Sequence, residues 1–142
     1  MSDDAKERFR DFVALHLGPS KLLFEERERD LVGDGIAKFK LPGDAARGVV
    51  AVVADGACRI LERDLARNML AIMRALGGRR ASVDKRRFAL GVSIVQALTE
   101  GQMTEAEARG WLKRLVEKGD FRIRGSGLLR RRRWFRKIRT PV

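Results

Sequence analysis

At 142 residues, with 44% hydrophobic and 35% charged side chains, the chain is long enough for one hydrophobic core and too well balanced to be disordered throughout. Its single cysteine excludes an internal disulfide and a thiolate metal cluster. The most apolar run, residues 48–61, is interrupted by Asp55 and Arg59 and too short to span a bilayer. The formal net charge of +12 is unevenly distributed: residues 1–35 carry −3, residues 36–78 +3, residues 79–118 +4 and residues 119–142 +8, which points to an acidic partner on the C-terminal half.

The N-terminus, MSDDAKERFRDF, has no apolar stretch of the kind that directs secretion, so a soluble, cytoplasmic protein is expected. Ala5, Phe9, Phe12, Val13 and His16 form the apolar stripe of a first helix that Gly18-Pro19 stops. On that stripe His16, the only histidine, reads as a packed core residue. Ser20 is the expected cap of a second helix over residues 21–32. Glu25, Glu26, Glu28 and Asp30 crowd that helix; with no second ligand cluster in the chain they read as a solvated face with Glu–Arg pairs, not as a metal or acid/base site. Residues 37–41, Ala-Lys-Phe-Lys-Leu, alternate like a short strand before Pro42-Gly43 turns the chain.

Residues 44–76 carry the strongest pattern. Val50, Val53, Ala54, Ala57, Cys58, Leu61, Leu65, Met69, Ile72 and Leu76 recur mostly every three or four positions, which predicts one helix about 50 Å long against which the rest packs. Cys58 then reads as a small buried hydrophobe. The run 49–53 is β-branched enough to be a buried strand instead. Beyond Gly77-Gly78, Ser82 is the expected cap of a helix over 83–99 that buries Phe88, Val92, Val95 and Leu98. Thr104 and Glu107 make a capping box for a helix with Ala108, Trp111, Leu112, Leu115 and Val116 on one face. Residues 121–124 alternate as a strand that puts Arg122 and Arg124 on one side, and Gly125-Ser126-Gly127 turns the chain. No internal repeat is legible.

The inventory for catalysis is poor: one His, one Cys, no Tyr, and no nucleophile elbow, phosphate-binding P-loop or zinc-protease motif. No metal or cofactor is expected. Two features suit phosphate. Arg79, Arg80, Lys85, Arg86 and Arg87 crowd the helix start assigned to Ser82, where cations oppose the helix dipole and a bound phosphate would remove the conflict. The C-terminal segment interleaves Arg130, Arg131, Arg132, Arg133, Arg136, Lys137 and Arg139 with Trp134 and Phe135, combining charge for phosphates with rings for bases. Trp134, Phe135 and Ile138 are costly in water, so something should cover them.

The order over residues 83–133 (helix, turn, capped helix, glycine-terminated exit, basic hairpin) resembles a winged helix at the level of fold. That resemblance implies DNA binding, but it departs from the pattern in lacking a separate positioning helix. On the would-be reading helix, Glu105, Arg109, Lys113 and Glu117 partly neutralise one another, which favours contacts to the phosphate backbone over base readout. The expectation is a mainly α, single-domain helical bundle around one long central helix, with a small β-hairpin. It divides into a helical domain 1–127 and a basic aromatic segment 128–142. The expected function is non-enzymatic binding of DNA or RNA through Arg79, Arg80, Lys85, Arg86, Arg87, Arg122, Arg124, the arginines at 130–133, Trp134, Arg136, Lys137 and Arg139. The alternatives are an assembly module docking an acidic protein or its own oligomer, and a peripheral membrane protein anchored by Leu128, Leu129, Trp134, Phe135 and Ile138.

Overall fold

Residues near the N-terminus repeat with helical period, and the computed structural model, which describes residues 2–125 and 132–140, forms α1 there (Ser2–His16). It is followed by β1 (Leu22–Leu23), α2 (Glu25–Phe39), α3 (Gly43–Gly56), β2 (Ile60–Leu61) and α4 (Glu62–Gly77). Then come a 3-10 turn (Gly78–Arg80), β3 (Ser82–Val83), α5 (Lys85–Leu98), α6 (Glu105–Lys118), β4 (Arg122–Ile123) and α7 (Arg133–Arg136). The protein is mainly helical, and among the described residues the β component consists of two-residue strands. Those strands pair in parallel, β1 with β2 and β3 with β4. The returning arm of the expected C-terminal hairpin falls on residues 126–131, outside the described residues.

The chain divides into two compact units, Met1–Asp64 and Leu65–Val142. The boundary falls inside the stretch that periodicity assigns to a single long helix. That helix is two helices. Gly56 ends α3, Cys58 turns the chain with φ 55°, and Arg59 N–H closes the end on the Ala54 carbonyl at 2.8 Å. Ile60 then donates to the Lys21 carbonyl at 2.8 Å as β2 pairs with β1. Ala57 and Cys58, placed by the pattern on the buried stripe, are exposed in this turn, whereas Leu61 and Leu65 are buried. The 49–53 run is helical, within α3.

In the N-terminal unit α1, α2 and α3 pack on one another around Phe9, Val13, Leu31, Leu41, Val50 and Ala54. Residues 37–39, expected in a strand, continue α2; the alternation there is short enough to fit helix as well as strand, and Phe39 packs at 5.2 Å from the Phe9 ring. Ser20 does not cap α2, which starts at Glu25 after an extended Phe24; its hydroxyl donates to the Leu22 carbonyl at 2.9 Å. His16 is exposed rather than buried, stacked 4.0 Å from Phe12 with Nδ1 at 2.7 Å from the Phe12 carbonyl. It closes the end of its helix, where a polar ring is better placed than in an apolar core.

In the C-terminal unit α5 packs on α6, and Met69, Met73, Phe88, Val95, Leu112 and Phe135 are buried. The approach is close: a Cβ on Gly91 would lie 2.7 Å from Met73 Sδ and 2.8 Å from Leu112 Cδ2, so any side chain there would push Met73 and Leu112 aside. Trp111 is half-buried rather than fully buried. The capping box is present as the sequence predicts: Glu107 N–H donates to Thr104 Oγ1 at 3.2 Å and Thr104 N–H to Glu107 Oε2 at 2.9 Å. Thr104→Ala is expected to cost about 1 kcal/mol in urea unfolding. An unchanged midpoint would show that this cap contributes nothing.

The two units are copies of one plan, helix–strand–helix–helix–strand. Leu22–Leu23 is matched by Ser82–Val83 and the start of α2 by that of α5, sixty residues on; β2 is matched by β4, sixty-two on. Equivalent positions are buried together: Phe9 with Met69, Val13 with Met73, Ala46 with Ala108, Val50 with Leu112 and Ala54 with Val116. Equivalent turns share left-handed backbone, with φ of 77° and 65° at Gly18 and Gly78, 57° and 51° at Lys40 and Glu100, and 55° and 59° at Cys58 and Asp120. The duplication corrects the expectation of a chain without an internal repeat. Four of the five paired core positions above hold different residues of similar burial, Ala46 and Ala108 being alike, so sequence identity does little to reveal it.

Candidate nucleic-acid interface

The charge is partitioned by unit. Met1–Asp64 holds 11 Lys/Arg against 13 Asp/Glu, net −2, while Leu65–Val142 holds 20 against 6, net +14. The excess positive charge belongs entirely to the C-terminal unit.

Within it, the β3–β4 pair brings together the two basic stretches that sequence separates. Ser82 pairs with Arg122 and Val83 with Ile123, fixed by Arg122 N–H donating to the Ala81 carbonyl (3.0 Å) and Arg124 N–H to the Val83 carbonyl (2.8 Å). Arg122 and Arg124 are two residues apart on an extended chain and therefore share a face. Both are exposed. With Asp84, Gly125 and Arg132 they line a cleft of about 420 Å³. Lys85 and Arg86, also exposed, follow Asp84 on the first turn of α5.

Asp84, not Ser82, caps α5: its carboxylate accepts from Arg87 N–H at 2.7 Å. Ser82 is buried in β3, where its hydroxyl accepts from Arg87 Nη1 at 2.9 Å. The conflict between basic residues and the helix dipole is thus met by a carboxylate already in place, and Arg87 is turned inward as a structural donor. Asp84 lacks the reciprocal capping box of Thr104, because Arg87, not Glu or Gln, stands three residues on, although Asp is by itself a favoured cap.

The structure therefore divides the candidate residues. Arg122, Arg124 and Arg132 converge on the cleft, with Lys85 and Arg86 adjoining through Asp84. Arg79 and Arg80 are exposed in the 3-10 turn before β3 and do not line it. Lys137 and Arg139 line a second cleft, about 460 Å³, with Arg109 and Glu107 of α6. Arg133 and Arg136 are exposed on α7. Arg130 and Arg131 lie outside the described residues.

The aromatic pair is not loose. Phe135 and Ile138 are buried, and Phe88 meets Phe135 edge-on with centroids 6.0 Å apart. Lys113 Nζ donates to the Ile138 carbonyl at 2.9 Å and stands 5.5 Å from the Phe135 ring. Trp134 is half-buried, its Nε1 donating to the Arg124 carbonyl at 2.9 Å. The cover that the sequence demands for Phe135 and Ile138 is the C-terminal unit itself.

The N-terminal unit has a contrasting cleft of about 340 Å³ lined by Glu25, Glu28, Arg29, Val32, Arg47 and Arg63. Glu28 is buried there, with Arg63 Nε 3.1 Å from its Oε1 but off the hydrogen-bond axis. Its position in the repeat is that of Phe88, so an ion pair occupies in one unit the place an aromatic fills in the other. Among the described residues no group of three His, Cys, Asp or Glu could hold a metal, and no helix is long and apolar enough to cross a membrane. No protein-family model, curated protein or solved structure matches this chain.

Proposed function

We propose that this protein binds nucleic acid without catalysing a reaction on it, through the basic surface of the C-terminal unit. The observation that carries this reading is the β3–β4 pairing, which sets Arg122, Arg124 and Arg132 in one cleft beside Lys85 and Arg86. Closely spaced guanidiniums on an exposed surface repel one another and gain from a polyanion that spans them, since each phosphate neutralised releases a condensed counterion. Lys113 is 3.8 Å from Glu117 on α6, and Glu105 and Arg109 stand at helical spacing with opposite charge, which leaves that helix poorly suited to base readout, so contacts to the backbone dominate. Cytoplasmic residence belongs to the same reading, supported by the exposed free thiol of Cys58, which suits a reducing compartment.

With six to eight phosphates covered, log K on duplex DNA is expected to fall with log salt at a slope of roughly −5 to −7. Affinity independent of salt, or none at low salt, would end this reading. The membrane alternative loses support, because Phe135 and Ile138 are engaged in the unit's own core. The assembly alternative keeps the exposure of apolar side chains: Leu90 and Leu98 on α5 (48% and 41%) and, in the N-terminal unit, Leu15 and Val52 (82% and 60%). Sedimentation showing a concentration-dependent dimer, abolished by Leu90→Glu, would favour it.

A further inference from the structure

Beside the arginine cleft the C-terminal unit has a groove of about 320 Å³, lined by Trp134 and by Phe88, Ala89 and Val92 of α5. Gln96 supplies an amide to its lining, and Lys85 and Arg109 supply cations. The two depressions adjoin: Asp84 lines the cleft and Lys85 the groove, and the Trp134 indole is hydrogen-bonded to the backbone of Arg124.

Three features distinguish the groove from a plain basic surface. Trp134 is held in orientation by its 2.9 Å bond to the Arg124 carbonyl and by edge contacts to Phe88 (5.6 Å, 60°) and Phe135 (5.6 Å, 74°). A ring already fixed, yet only half-buried, loses little freedom when a planar ligand packs on it. Phe88, Ala89 and Val92 give the lining an apolar part, and Glu105 also lines the groove, one turn before Arg109. With Lys85 and Arg109 against Glu105 the groove carries a net +1, less than the +2 that three guanidiniums and Asp84 give the cleft, while Trp134 and Gln96 offer a heterocycle a ring to pack on and an amide to bond. Phosphate-binding groups are concentrated instead next door, at Arg122, Arg124 and Arg132.

A slot for a neutral flat ring beside a cleft for phosphates matches a single strand with a base turned out of its stack. A duplex keeps its bases stacked and offers no ring to the slot. We infer that the C-terminal unit takes single-stranded nucleic acid, with one base in the groove against Trp134 and the neighbouring phosphates on the arginine cleft. The inference rests on the proposed nucleic-acid function and specifies its substrate class.

The test uses the full chain carrying Trp111→Phe, which leaves Trp134 as the sole tryptophan. It is titrated at one salt concentration with an oligothymidylate of about 10 nucleotides and with the matching duplex. The single strand is expected to bind more tightly and to quench Trp134 emission. Ser93→Leu fills the groove from an exposed position of α5, where the serine hydroxyl makes a bond of 3.2 Å to the Ala89 carbonyl of its own helix, so the fold is retained. It should abolish the quenching and weaken single-strand binding about tenfold while leaving duplex binding unchanged. Duplex binding as tight as single-strand binding, with Trp134 emission unmoved, overturns the inference and leaves the nucleic-acid function standing. Absence of binding to either overturns both. Quenching by polyglutamate at equal or lower concentration would assign the groove to acidic peptides and overturn the inference.

Discussion

Phe9→Ala is expected to destabilise the N-terminal unit by about 3–5 kcal/mol, a large share of the roughly 5–15 kcal/mol that holds a domain together. Phe9 is 0% exposed and meets Phe12 at 6.2 Å and Phe39 at 5.2 Å, so truncation removes buried area and two aromatic neighbours together. The surroundings are tightly packed against it: a Cβ on Gly35 would lie 2.7 Å from Phe9 Cζ and 2.9 Å from Ala46 Cβ. That closeness supplies a second check. Gly35→Ala alone should destabilise by forcing the ring aside, and should cost less in the Phe9→Leu background, where the far end of the ring is gone. The measurement is urea unfolding followed by far-ultraviolet circular dichroism. Tryptophan emission is no substitute, since Trp111 and Trp134 both belong to the other unit. A loss under about 0.5 kcal/mol for Phe9→Ala, the size of an ordinary surface change, would show that this cluster is not the core.

The second large effect is expected on binding. Arg122→Gln, Arg124→Gln and Arg132→Gln together should flatten the salt slope by about three units, one for each phosphate no longer neutralised. Near 0.1 M salt this corresponds to a drop of about two to three orders of magnitude in affinity. The three side chains are exposed, so unfolding should hardly change and weaker binding cannot be charged to a damaged fold. Arg79→Gln with Arg80→Gln is the control. These residues share the charge of the first basic stretch but lie outside the cleft, and their removal should flatten the slope less per charge. Equal effects per residue would show that the cleft has no special role and that only total charge matters. A slope untouched by the triple substitution would remove Arg122, Arg124 and Arg132 from the interface.

Several features are legible in the amino-acid order because their causes are local. Thr104 and Glu107 cap each other across three residues, so the start of α6 needs nothing from the rest of the chain. The alternation around Arg122 and Ile123 marks β4, and the burial of Leu65 follows from its periodicity in α4, whereas Leu61 is buried in β2. The helical class and the basic C-terminal half are likewise properties of composition and pattern. The break between α3 and α4 is not legible. Two helices that each bury one stripe can continue the same period across a turn, and the turn residue Cys58 adopts positive φ without being glycine.

The duplication is hidden for a related reason. A buried position asks only for volume and apolarity, so Phe9 and Met69, or Val50 and Leu112, can serve alike without resembling each other in sequence. The site depends on tertiary structure altogether. Asp84 and Arg122 are remote in the chain and meet because β3 pairs with β4 in parallel, a non-local pairing that no window of sequence contains. Local chemistry determined the helices, the α6 cap and the sign of the charge. The parallel pairing decided that Asp84, inside the first basic stretch, shares a cleft with Arg122 and Arg124, with Lys85 and Arg86 next to it and Trp134 bonded to the Arg124 carbonyl.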